Sequence, residues 1–285
     1  MNFSYKQIWL INYPVMMSLL MEQLINMTDA VCLGRVGKVE LGASALACMY
    51  YLAIYMLGFG FGLGIQVLVA RKNGEGRLSE TGEVFWQGQY FLLALALALC
   101  LLSEFLSPFL LRRMIASDAV WQAVVDYVRW RNYGLFFAFP VLAFRSFFVG
   151  ITKTKVLIVN SVLMVLVNVA LNYILIFGKL GLPPLGILGG GLANSFANLF
   201  TMLTAITLFL CVKQSEYPTR EHRRFHWELV KKLVFFGAPA GLQTFIRNAA
   251  FAIVVMMIGN LGDEALAATS IALTINMLGN MPMIG

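Results

Sequence analysis

Charged residues are scarce in this sequence: they make up 12% of its 285 residues, against a hydrophobic share of 60%. Soluble domains carry about 25% charged residues, so a chain this poor in charge could not cover a water-exposed surface. The net charge of +7 does not indicate nucleic-acid binding, because most Lys and Arg residues fall in short segments between apolar runs. The composition therefore predicts an integral membrane protein whose partner is the lipid bilayer and not nucleic acid.

Histidine and cysteine are also few. Both His residues, His222 and His226, lie in one polar segment, and the four Cys residues lie in apolar runs without metal-ligand spacing. The sequence shows no Ser/His/Asp or Cys/His set, and no Gly-Lys-Ser/Thr follows its glycine-rich runs. We therefore expect no enzyme, no cofactor and no resident metal. Without an ATP site, uphill transport would need an ion gradient or a partner subunit.

Apolar runs long enough to cross a bilayer dominate the chain. A spanning helix needs about 20 mostly apolar residues, and we predict an all-α, polytopic membrane helix bundle. Lys and Arg are concentrated in the connections on one side, which predicts a multi-pass protein of the cytoplasmic (inner) membrane with a cytoplasmic N-terminus. The predicted spans are 8–34, 41–70, 84–111, 121–150, 156–178, 189–213, 228–259 and 264–285.

An internal repeat relates the two ends of the chain. A shift of 225 positions aligns Pro14 with Pro239 and Gly34 with Gly259. Six spans precede the second copy, so the two copies are parallel, a known plan of transporters. The repeat predicts a six-helix N-terminal lobe (1–212), a cytoplasmic linker (213–228) and the incomplete start of a C-terminal lobe (229–285), in a protein of about 450 residues.

The first span carries ionisable side chains. Glu22, Asn26 and Asp29 stand at i, i+4 and i+7, on one face of a helix. An ionisable group inside the membrane is costly and is by default a functional candidate. Loss of water favours the neutral form of a carboxyl group, which makes proton uptake near neutral pH possible. The alternative is a carboxylate tied to Arg or backbone for packing alone. We expect a protonatable or cation-binding strip that faces a cavity, with Asp29 as its leading member.

Amide side chains recur in the later spans. Asn168 and Asn172 share a face of the fifth span, and the sixth span contributes Asn194. Amides in apolar helices either line a cavity or hydrogen-bond neighbouring helices. We interpret Asn168 and Asn172 as cavity-lining residues.

Two Arg residues need partners inside the membrane. Arg145 lies deep in the fourth span, and either Glu22 or helix-end carbonyl groups could satisfy it. Arg247, in the seventh span, holds the position that the repeat aligns with Glu22. Opposite charges at equivalent positions suggest the hypothesis that Glu22 and Arg247 pair across a central cleft.

Four segments resemble the multidrug and toxic compound extrusion (MATE) family: MTDAVCLGRVG (27–37), NVALNYILIFG (168–178), GILGGGLANS (186–195) and GAPAGLQTF (237–245). The resemblance implies twelve helices in two six-helix lobes, and H⁺- or Na⁺-coupled antiport of amphipathic, often cationic compounds by alternating access. It also implies that Asp29 binds the coupling ion, with Asn168 and Asn172 lining the same cavity and Asn194 near it. We place Glu22, Asn26, Asn194, Arg145 and Arg247 as substrate or cavity residues.

Two positions depart from the family pattern. Some members carry an acid where this chain has Asn172, and many carry Glu where it has Arg247, so the resemblance does not extend to a preference for cationic drugs. One alternative is a lipid-linked oligosaccharide flippase with a similar bundle, for which Arg145 and Arg247 would supply positive charge. A second is a non-transporting scaffold, which the cost of buried carboxylates disfavours. We expect a monomer.

Overall fold

The structure, a computed structural model, describes residues 5–115, 118–211, 217 and 225–259. All regular secondary structure in these ranges is α-helical, which confirms the predicted class. The predicted span 264–285 and most of the predicted linker lie outside the described residues. The helices are α1 (Tyr5–Val36), α2 (Lys38–Gly74), α3 (Leu78–Met114), α4 (Asp118–Tyr133), α5 (Leu135–Gly150), α6 (Lys155–Phe177), α7 (Ile187–Leu210) and α8 (Trp227–Gly259).

Length and apolar composition identify the membrane spans. Within the described ranges, α2, α3, α6, α7 and α8 are each long and apolar enough to cross a bilayer, and α4 with α5 qualifies as a further, bent span. The 32-residue α1 covers the predicted first span. The prediction of a polytopic helix bundle is therefore confirmed.

The predicted fourth span, 121–150, is not one continuous helix. It is broken at Gly134 into α4 and α5, whose axes differ by 48°. The Gly134 N–H donates to the Arg131 carbonyl at 3.0 Å, a tighter turn than an α-helix makes. A Cβ at Gly134 would lie 2.9 Å from both the Arg131 carbonyl oxygen and the Ser195 hydroxyl oxygen, so only glycine lets α7 approach the break this closely.

The turn between α6 and α7 sets those helices side by side. Gly178 ends α6 in the left-handed region (φ 67°), where glycine carries no steric penalty. The chain then returns to α6, because the N–H groups of Leu185 and Gly186 donate to the carbonyls of Leu175 and Ile176. α6 packs against both α1 and α7. The turn therefore brings the amides of the fifth and sixth spans next to the first helix.

Two buried apolar clusters form the core. The larger is rich in aromatic rings, and its centre is Phe85, which lies 4.4 Å from Phe209 and 5.4 Å from Phe147 between ring centroids. The smaller is built around Leu33, Tyr127 and neighbouring apolar residues. Lipid provides no hydrophobic drive for helices to associate, so this close packing, together with hydrogen bonds between helices, holds the bundle.

α2 and α8 cross at glycines. Gly60 and Gly64 on α2 face Gly237 and Gly241 on α8, so each helix presents a Gly-x-x-x-Gly pair to the other. A Cβ at Gly64 would lie 2.9 Å from the Gly237 Cα, and one at Gly60 would overlap the Gly241 backbone. The crossing joins the helix that begins the predicted second copy directly to the first copy.

Candidate functional site

Asp29 lies on the buried face of α1. Its residue exposure is 2%, and Ile25 and Leu33, one turn before and after it, are buried on the same face. A carboxyl group in this position has no access to bulk water. It must therefore be satisfied by the protein or by a bound ion.

Two amides from different helices satisfy the Asp29 carboxylate. Asn172 on α6 donates from its Nδ2 to Asp29 Oδ1 at 2.6 Å, and Asn194 on α7 donates from its Nδ2 to Oδ2 at 2.8 Å. Hydrogen bonds to a charged acceptor are roughly twice as strong as neutral ones. The carboxylate thus ties α1 to α6 and α7 at one point.

The amides also bond to one another. Asn172 donates to Asn168 Oδ1 at 3.0 Å, and Asn168 donates to Asn194 Oδ1 at 3.4 Å. Asn194 further donates to the Gly190 carbonyl at 2.9 Å. All these side chains are buried, so Asp29, Asn168, Asn172 and Asn194 form one connected cluster, which we call the Asp29 cluster.

One oxygen of the Asp29 cluster is unused. Asn172 Oδ1 is buried and makes no hydrogen bond to any residue that the structure describes. Buried carbonyl oxygens nearly always have a partner, and carboxylate and amide oxygens are the ligands of hard cations and acceptors for a protonated group. The cluster is therefore chemically able to take up a proton or a small cation.

Glu22 and Arg145 pair with each other away from the Asp29 cluster. Arg145 Nη1 donates to Glu22 Oε1 at 3.0 Å, which identifies the partner that the sequence left open. The Glu22 side chain is 37% exposed and that of Arg145 14%, so the carboxylate is the more accessible member. Arg145 also borders a cavity of about 60 Å³ together with Phe59, Gln66 and Ser146.

The predicted strip on α1 does not converge on one site. Asp29 faces α6 and α7, whereas Glu22 reaches α5. Asn26, between them, is exposed and hydrogen-bonds to none of the described side chains. The structure thus separates the predicted residues into the Asp29 cluster, the Glu22–Arg145 pair and exposed Asn26.

The predicted pairing of Glu22 with Arg247 is wrong in this structure. Arg247 is exposed on α8 and forms no ion pair within the described ranges, while Glu22 is bound to Arg145. Among the described residues, α8 packs chiefly against α2 and α3. Equivalent positions in two copies therefore do not lie face to face here.

The sequence-based site residues did not include Arg131, a buried cation near the Asp29 cluster. Its exposure is 7%, and its Nη1 donates to the Tyr127 hydroxyl at 2.7 Å and to Cys48 Sγ at 3.0 Å. Its guanidinium also lies over the Tyr51 ring, 4.5 Å from the centroid. Arg131 follows Tyr127 by four residues, so the sequence places both on one face of α4, but only the structure shows that this face is buried.

The chain matches a known family over most of its length. A family model named MatE matches residues 14–174 and 239–285. Both matched segments carry residues described above: Asp29, Arg145 and Asn172 in the first, and Gly241 in the second.

Curated relatives and solved structures agree with this match. The chain is 27% identical over 270 residues to a probable multidrug resistance protein NorM of Idiomarina loihiensis, covering 93% of the chain and 58% of that protein. It is 30% identical over 268 residues to the multidrug resistance protein MdtK of Photorhabdus laumondii, covering 91% and 57%. It thus spans under two thirds of the length of these relatives.

The fold is also that of solved transporters. An outward-facing multidrug resistance MATE family transporter of the MOP superfamily superposes with a TM-score of 0.86 at 23% identity, covering 98% of this chain and 61% of that one. A MOP superfamily transporter from Pyrococcus furiosus, described as having a binding pocket of reverse polarity, gives 0.84 at 22% identity, covering 99% and 65%.

Proposed function

Since this chain belongs to the MatE family, we propose that it is part of a multidrug efflux transporter that exports amphipathic small molecules in exchange for H⁺ or Na⁺. Its relatives are named as multidrug resistance proteins, and none of those names describes an enzyme. The observation that carries the proposal is the Asp29 cluster: one buried carboxylate that binds amides from two other helices inside a membrane bundle.

The geometry supplies a route from ion binding to helix movement. A proton or cation on Asp29 competes with the amide N–H groups of Asn172 and Asn194 for the same two oxygens. Those amides must then reorient, and the unused Asn172 Oδ1 is available to the incoming ion. Because Asn172 and Asn194 stand on α6 and α7, ion binding changes how α1 packs and shifts the balance between conformations.

We assign the remaining polar residues to the substrate. Asn26 and Arg247 are exposed, and the Glu22 carboxylate is the accessible edge of its pair with Arg145. A zwitterionic pair can meet either sign of charge on an amphipathic molecule, whereas a lone carboxylate favours cations. The proposal therefore includes no preference for cationic substrates.

The Glu22–Arg145 ion pair argues against the flippase alternative. A pyrophosphate site needs several cations free to bind phosphate oxygens. Of the two Arg residues that suggested such a site, Arg145 is already bonded to Glu22 at 3.0 Å, which leaves Arg247 alone. We further propose that the protein is a monomer of the inner membrane with a cytoplasmic N-terminus, divided into an N-terminal lobe (1–212), a linker (213–228) and the start of a C-terminal lobe (229–285). α8 begins at Trp227, two residues before the proposed start of the second lobe.

A transport assay tests the proposal. The full-length protein with Asp29→Asn is expressed, and drug efflux is measured in inverted vesicles under imposed Na⁺ or pH gradients. We expect loss of gradient-driven efflux. Asp118→Asn is the matched control, because Asp118 is an exposed carboxylate paired with Arg112, and efflux should be retained. The proposal fails if Asp29→Asn transports with an unchanged ion dependence.

A further inference from the structure

Arg131 carries a buried charge without a directly bonded anion. No carboxylate of the described residues lies within 4.0 Å of its guanidinium, although the residue is only 7% exposed. Arg remains protonated in proteins, and burial of a charge without a counter-charge is strongly unfavourable. Such a charge needs an explanation beyond packing.

The hydrogen bonds of Arg131 account for only part of its capacity. A guanidinium has five N–H donors, and in the part of the chain that the structure describes, Nη1 alone is bonded, to the Tyr127 hydroxyl and Cys48 Sγ. The Tyr51 ring covers one face. Phenol, thiol and ring are all neutral groups, so none of them balances the charge.

The glycine run 189–191 at the start of α7 brings Arg131 close to the Asp29 cluster. A Cβ at Gly190 would lie 3.2 Å from Tyr127 Cε2, and one at Gly191 would lie 3.1 Å from the Tyr127 carbonyl oxygen. The Gly190 carbonyl in turn accepts from Asn194, which holds Asp29. Side chains at these glycines would push α4 away from α7, so the run sets Tyr127 and Arg131 beside the carboxylate's own ligands.

Asp29 and Arg131 carry opposite charges on the two sides of the contact between Gly190 and Tyr127. Arg131 is the charged side chain whose field acts on Asp29, and Asp29 acts on Arg131 in return. Water cannot screen either group, because both are buried. An interaction of this kind persists beyond hydrogen-bonding distance in a low-dielectric interior.

We propose that Arg131 is the built-in counter-ion of Asp29, a positioning residue that neutralises the carboxylate whenever no coupling cation is bound. With both groups charged the empty site has no net charge, so the carboxylate can stay buried between ion-binding events. An incoming cation competes with a fixed guanidinium, and Arg131 thereby lowers the affinity of Asp29 for that cation. The part that concerns the cation rests on the function proposed above, whereas the pairing of charges does not.

A double-mutant cycle tests the pairing of charges. Asp29→Asn, Arg131→Gln and the double variant of the full-length protein are purified, and their thermal unfolding is compared. Each single change leaves one buried charge unbalanced, so both lower the Tm; the double change removes both charges and should recover most of the loss.

Arg129→Gln is the matched control, because Arg129 is an exposed guanidinium two residues away that pairs with Glu104. Its effect should add to that of Asp29→Asn. Additive losses for Arg131→Gln overturn the proposal.

Two further variants test the same pairing of charges if Arg131→Gln does not fold. Arg131→Lys keeps the charge. Adding Asp29→Asn to the Arg131→Lys variant should therefore lower the Tm as much as Asp29→Asn lowers the Tm of the native protein. Arg131→Met keeps most of the packing against Tyr51 and should give the same recovery with Asp29→Asn as Arg131→Gln does. If the Met variant shows no recovery, Arg131 serves packing only and the proposal is wrong.

Ion dependence tests the competition with the cation. Efflux by Arg131→Gln is measured against Na⁺ concentration and against pH, and the half-saturating concentration of the driving ion should fall at least tenfold, while Arg129→Gln leaves it unchanged. An unchanged value for Arg131→Gln overturns the competition. If Asp29→Asn leaves transport intact while the Tm cycle remains non-additive, the proposed function fails but the counter-ion pairing stands.

Discussion

Asp29 and Asn172 are 143 positions apart in the chain, yet a 2.6 Å hydrogen bond joins their side chains inside the bundle. The bond exists because α6 packs against α1 and both Asp29 and Asn172 lie on the buried faces of their helices. It links the residue to which we assign ion binding directly to a second helix.

Removing either amide donor should weaken the bundle. Asn172→Ala and Asn194→Ala each deprive a buried carboxylate of a charge-assisted hydrogen bond, and we expect each to lower the free energy of unfolding by about 1.5–3 kcal/mol. Denaturant unfolding of the purified protein measures the loss. Asn26→Ala is the control, because Asn26 is exposed and has no such bond; its effect should stay within about 0.5 kcal/mol. Equal effects at all three positions would contradict this assignment.

Glu22 should couple to Arg145 and not to Arg247. The 3.0 Å ion pair predicts that Glu22→Gln and Arg145→Gln are non-additive in stability, with a coupling energy on the order of 1 kcal/mol, because the Glu22 side chain is partly exposed and solvent screens the pair. Glu22→Gln combined with Arg247→Gln should be additive. The same thermal unfolding series measures both cycles. Coupling to Arg247 alone would restore the pairing hypothesis that the structure rejects.

The α2–α8 crossing should not tolerate a methyl group. Gly60→Ala places a Cβ onto the Gly241 backbone, and we expect a loss of about 1–3 kcal/mol, the usual effect of overpacking. Gly42→Ala on the same helix is the control, since a Cβ there meets nothing within 4 Å and alanine favours helix. Unfolding of both variants in detergent measures the difference. A neutral Gly60→Ala would show that the two helices do not touch at this point.

Tyr217 should hold the linker against the first lobe. Its ring is buried and lies 6.3 Å from the Phe147 ring between centroids, and its hydroxyl donates to Asn73 Oδ1 at 3.2 Å. Tyr217→Phe removes the hydrogen bond alone and should cost about 1 kcal/mol, whereas Tyr217→Ala also removes the ring and should cost about 3–5 kcal/mol. Limited proteolysis between 212 and 226 should accelerate in the same order. Equal cleavage rates in both variants and the native protein would exclude this role.

Helical periodicity predicted the parts of the site that depend on one helix. Asn168 and Asn172 do share a face, and Asp29 does lie on a buried face. The partner of Arg145 could not be chosen from the sequence, because the choice between Glu22 and helix-end carbonyl groups depends on how the helices cross. Arg131 was missed for a related reason: the fourth span looked continuous, and the break at Gly134 determines which way that end of α4 faces.

The repeat predicted equivalence but not proximity. It aligned Pro14 with Pro239, and both prolines do lie inside helices. The same alignment suggested that Glu22 and Arg247 pair, whereas the structure pairs Glu22 with Arg145 and leaves Arg247 exposed on α8. Sequence register gives a residue's position within its own copy, and contacts between copies depend on how the copies dock.

The glycines of the α2–α8 crossing also restrict how this protein can evolve. In an ordinary helix contact, a larger side chain on one helix can be accommodated by a smaller one opposite. Gly60 allows no such exchange, because no residue is smaller than glycine and the atoms opposite its Cα belong to the Gly241 backbone. A substitution at Gly60 has no compensating change on α8, so this position is constrained to glycine while the surfaces around the crossing remain free to diverge.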